Sequence, residues 1–116
     1  MAEQSILTST KKLLGIDEEY TAFDLDITLH INSVFSTLHQ LGVGPDEGFM
    51  VEDKTTMWHS FMTSAYLNSV KSYMFLRVRI LFDPPTTSFA IDAMTNQSKE
   101  LEWRLCSASA IVAPII

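Results

Sequence analysis

Apolar residues recur along this chain at helical spacing, in long stretches that few breakers interrupt. Ile6, Leu7, Leu13 and Leu14 stand at i, i+1, i+7 and i+8, which predicts a first helix over about 3–14. Lys11 and Lys12 then complement the dipole of its last turn, and Gly15 suits the position just beyond it. After the acidic run Asp17-Glu18-Glu19, Thr21 reads as an N-cap with Asp24 three residues on, and Tyr20 and Leu25 hold the two positions of a hydrophobic staple. That second helix is expected to run to about Leu41 and stop at Gly42. At about 100° per residue, Ile27, Ile31, Val34, Phe35, Leu38 and Leu41 fall within an arc of roughly 120°, the pattern of a one-sided core helix. Leu25 and Leu29 lie on the opposite face beside Ser33 and Ser36, as ordinary exposed leucines or as a contact with another chain.

The stretch GVGPDEGFMVEDKTT holds three of the four glycines and reads as a loop or short hairpin, in which Phe49-Met50-Val51 pairs as a strand only if a partner flanks it. A helical turn over 57–62, anchored by Trp58 and Phe61, leads into a long helix over about 65–82. Tyr66, Leu67, Val70, Tyr73, Met74, Val78, Ile80 and Leu81 cover most of its wheel and leave Asn68, Ser72 and Arg79 as a narrow polar strip, so it belongs at the centre or between subunits. Asp83-Pro84-Pro85 ends it, because a residue before proline is pushed out of the α region. Thr86 or Thr87 caps a last helix from Ser88 to about Cys106, with Ala90, Ile91, Met94, Leu101 and Leu105 as its stripe and Glu100 and Arg104 as an i,i+4 pair. The expected fold is therefore all-α: a small helical bundle with a long central helix and a C-terminal antiparallel helical hairpin. A single domain over 1–106 is followed by an extended tail over 107–116.

Composition narrows the function more than the fold. With 8 Lys+Arg against 14 Asp+Glu, the net charge of −6 disfavours a surface that clamps nucleic-acid phosphates. One Cys cannot form an internal disulfide, which suits a reducing compartment. The first residues lack the continuous apolar core of a signal peptide, and no window approaches the ~20 apolar residues that span a bilayer.

No spacing assembles a catalytic or metal-binding constellation. His30 and His39 are nine residues apart and point about 180° from each other on a helix, His59 lies elsewhere, and no Cys or paired carboxylate stands at ligand spacing with any of the three. Asp24 and Asp26 diverge as an i,i+2 pair, and Cys106 has no adjacent base. Gly42-x-Gly44 runs into Pro45 rather than a phosphate-cradling helix. The sequence calls for no catalytic residue, no metal and no cofactor, and the expected protein is not an enzyme. One charge is awkwardly placed: Arg77 falls within about 20° of Val70, inside the apolar arc. It must pair with Glu100 or Glu102 across the hairpin, snorkel to water, or meet a carboxylate of another subunit. The tail has no charged side chain, and Pro114 stops it from extending the last helix. Its Ile111, Val112, Ile115 and Ile116 join Leu25, Leu29 and Arg77 as candidate interface residues.

The segment VKSYMFLRVRILFDPPTTSFAIDAMTNQSKELEWRL, with the upstream DLDITLHINSVFSTLHQLGVGP and the turn around Trp58, resembles the head-tail connector (adaptor) family of long-tailed bacteriophages. The resemblance runs from about Asp24 to Leu105, and its most specific pieces are the YMFLRVRILFDPP helix end and the ELEWRL helix close. It implies a structural virion protein of the neck, assembled in the host cytoplasm. It further implies a ring, typically twelve-fold, beneath the portal protein, which continues the DNA channel and docks a stopper or tail-completion protein. Double-stranded DNA would pass without sequence-specific binding, and no membrane is involved. In related adaptors the C-terminal segment often reaches into the portal. The IVAPII ending of this chain departs from the family pattern, so no motif carries that role over. From another class, a small acidic helical protein-binding (regulatory) module also fits the composition, and imaging for open rings against compact dimers separates the two.

Overall fold

A computed structural model describes residues 4–112, with side chains from Gln4 to Cys106. Five helices follow in order: α1 (Ile6–Leu13), α2 (Asp24–Gln40), α3 (Trp58–Phe61), α4 (Leu67–Phe82) and α5 (Ser88–Val112). The described residues contain no strand, only an isolated antiparallel bridge between Ser5 and Met57. The all-α bundle expected from periodicity is the fold adopted. Phe49-Met50-Val51 stays in a loop, because its backbone partner is a side chain: Asn32 on α2 donates to the Val51 carbonyl at 3.0 Å and accepts from the Val51 amide at 2.7 Å.

α4 is the middle layer. It packs against α2 on one side and against α5 on the other, and α1 rests on both α2 and α4. The expected face of α2 is the buried one: Ile27, Ile31, Val34, Phe35 and Leu38 are in the core, with Leu41 packed against its edge. From α4, Val70, Tyr73, Met74 and Val78 complete it, while Tyr66 and Leu81 remain exposed at its two ends. Trp58 and Phe61 anchor the turn as expected. The rings of Phe35, Phe49 and Phe61 meet at centroid distances of 4.8–5.2 Å, and the Trp58 indole donates to Ser9 Oγ at 2.9 Å. Gly44 is required here: its φ is +96°, and a Cβ at that position would collide with the Phe61 ring.

Several boundaries differ from the sequence expectation. Ser5 caps α1, accepting from the Thr8 amide, so that helix starts at Ile6. Thr21 does not cap α2: Phe23 precedes the helix without a side-chain cap, and Asp24 is its first residue. The Asp24 carboxylate instead reaches Lys11 Nζ at 2.8 Å. Nor does the staple close, since Tyr20 and Leu25 are exposed and the Tyr20 ring meets Phe23 edge-on. Thr87 caps α5, accepting from the Ala90 amide at 3.2 Å. α5 also passes Cys106 and runs to Val112, so the expected extended tail is helical over 107–112. The small residues of SASA contain no breaker, and the first one met is Pro114. Residues 113–116, including the candidates Ile115 and Ile116, lie outside the described residues.

Candidate functional site

The α4/α5 hairpin is tied by a pair that periodicity did not single out. Tyr73 is fully buried, and its hydroxyl donates to Glu102 Oε2 at 2.8 Å. Burial holds the phenol well above its ordinary pKa, and the hydrogen bond to Glu102 and that carboxylate's charge push it further the same way. Ser98, only 1% exposed, is a buried small residue of α5, the helix that packs against α4.

Of the alternatives open to Arg77, this arrangement leaves the pairing across the hairpin unmade. Glu102 accepts from Tyr73, and Glu100 pairs with Arg104 at 2.6 Å on the outer surface. Neither carboxylate bonds Arg77, and its Nε is buried with no hydrogen-bond partner among the described residues.

The other candidate residues lie apart from Arg77. Leu25 and Leu29 are 72% and 59% exposed on the outer face of α2. Ile111 and Val112 belong to the last turn of α5, beyond the described side chains.

Two surface features flank the central layer. On the α2 side, a groove of about 710 Å³ opens between the uncharged outer face of that helix and the loop ending at Met50. Phe35 and Phe49 lie in it, Leu29 and Met50 stand exposed on its rims, and Glu47 lies at its lip. Its loop wall is fixed by the Asn32 clamp and by His39, whose Nε2 donates to the Asp46 carbonyl at 2.8 Å. On the α5 side, Phe89 and Trp103 are 85% and 69% exposed. They are fourteen residues apart, within about 40° of each other on the wheel and opposite Ser98. Sequence reasoning did not single out these two aromatics, although their azimuth, away from the Ala90–Leu105 stripe, was available from the same wheel.

Among the described residues, no group of three His, Cys, Asp or Glu side chains comes together as a metal site, and no helix is long and apolar enough to cross a membrane. The geometry offers shaped apolar surfaces rather than converging reactive groups. In comparisons with known proteins, the model of a family described as phage connector protein matches residues 6–110, from the first residue of α1 to near the end of α5. No curated protein and no solved structure matches the chain.

Proposed function

We propose, from the premise that this chain belongs to the phage connector protein family, that it is the head-tail adaptor of a long-tailed phage. In this reading, copies of the chain form a ring below the portal, continue the DNA channel and dock the next neck component. The observation that carries it is the family match across almost the entire helical domain. Electrostatics support the conduit role: a subunit of net charge −6 repeated around a channel repels DNA phosphates and favours sliding over clamping.

The candidate interface residues take their places in that assembly. Leu25 and Leu29 are apolar and exposed on one flank, and Arg77 is half-buried with neither Glu100 nor Glu102 bonded to it. Ile111, Val112, Ile115 and Ile116 close a charge-free C-terminal segment that we assign to the portal or an adjacent subunit. Negative-stain images of the purified chain mixed with portal test the reading. Rings with an open centre support the adaptor, and compact dimers indifferent to portal support a small acidic binding module instead.

A further inference from the structure

The groove lies beside α2 and the aromatic ridge on α5. Both helices pack against α4, and among the described residues α2 and α5 make no extended contact with each other. The ridge therefore does not fill the groove of its own chain. We propose that a second copy of this chain fills it, the Trp103 end of one copy's α5 entering the groove between α2 and the Glu47–Met50 loop of the next. Copies thereby join head to tail.

Shape supports this occupant. A side chain of Trp or Phe buries about 150–250 Å², and Trp103 and Phe89 stand mostly in solvent on one edge of the α5 cylinder. The groove offers what such a ridge needs: the half-buried ring of Phe49 over a floor closed by Phe35, with apolar rims at Leu29 and Met50. Such a contact has the anatomy of an interface core, with polar groups around a buried aromatic anchor.

Charge supports the same pairing and disfavours the symmetric one. The groove lip carries Glu47, with Asp46 beside it. Lys99 stands one helical turn before Trp103 and has no ion-pair partner among the described residues, while Arg104 and Glu100 neutralise each other. Groove against groove would gather two acidic lips at one interface, and ridge against ridge would gather two unpaired lysines. Ridge into groove brings Lys99 toward Glu47. Two different patches make a heterologous contact, and such contacts propagate from copy to copy until the rotation closes a ring.

The inference rests on the connector reading for its setting, and its test separates the two. Trp103→Asp and Leu29→Asp each alter a solvent-exposed side chain, so far-UV circular dichroism is expected to match the parent chain. In the presence of portal, the parent chain builds rings and each variant alone builds none. An equimolar mixture of the variants has one intact ridge and one intact groove. In sedimentation velocity it forms a two-chain species and stops there. Variants that build rings as the parent does, or a mixture that stays monomeric, overturn the head-to-tail contact while leaving the connector reading standing. A parent chain that builds no ring on portal overturns both.

Discussion

Lys11 Nζ lies 2.8 Å from Asp24 Oδ1, although the lysine side chain is only 2% exposed. Its other acceptors are the backbone carbonyls of Glu18 and Tyr20, at 3.0 and 2.8 Å. One ammonium group thus fastens α1, the acidic turn and the start of α2. A buried lysine is tolerated because its ammonium donates to two carbonyls and lies beside a carboxylate.

Replacing Lys11 with Ala is therefore expected to destabilise the free chain by about 1–3 kcal/mol, since it removes a buried side chain and its hydrogen bonds to two carbonyls, while the partly exposed Asp24 can turn to water. The midpoint of urea unfolding reads this directly. Lys11→Met with Asp24→Asn is expected to recover part of the loss.

That staple also shows where the sequence stopped being informative. The buried face of α2 was legible because Ile27, Ile31, Val34, Phe35 and Leu38 repeat with the period of the helix, and the Asp83-Pro84-Pro85 break was legible because proline forbids continuation. Thr21 and Asp24 matched a capping box equally well, yet the Asp24 carboxylate went to Lys11, a contact made across the fold that no local pattern contains. Lys11 itself read as a surface charge at a helix C-terminus, since lysines are rarely buried. The surfaces were half legible: Leu25 and Leu29 stood out against the core stripe, whereas the groove exists only because Asn32 pins Val51 and so shapes a loop wall.

The hairpin contact between Tyr73 and Glu102 sets a dependence on pH. The fold favours the neutral phenol, so this stabilisation is fully present below the ordinary tyrosine pKa of about 10 and is lost as pH rises through the raised value. Melting temperature is expected to fall as pH rises above about 10 toward the raised value, and Tyr73→Phe is expected to flatten the fall. At neutral pH the same substitution costs about 1.5–3 kcal/mol, the usual worth of a hydrogen bond to a charged group.

Arg77 carries the opposite expectation. With no carboxylate bonded to it inside the hairpin, Arg77→Leu removes a buried, unpartnered Nε and keeps apolar contact with α4's neighbours. The melting temperature of the free chain stays the same or rises. A clear drop would show that the guanidinium supports the isolated fold.

The C-terminal segment is expected to matter to assembly and not to the isolated domain. Deleting residues 110–116 leaves the melting temperature of the free chain nearly unchanged and abolishes its incorporation onto portal-bearing heads. Unfolding of the truncated chain would place the segment in its own core, and normal incorporation would remove it from the docking surface.

The central claim is that copies of this chain build a ring on the portal, and cryo-electron microscopy of portal-bearing heads supplied with the purified chain tests it most directly. The expected result is a closed ring of density below the portal, open along the DNA axis, in which each repeat accommodates the five-helix subunit with α4 between α2 and α5. Heads whose portals stay bare while the added chain remains in solution as monomers or compact dimers would contradict it.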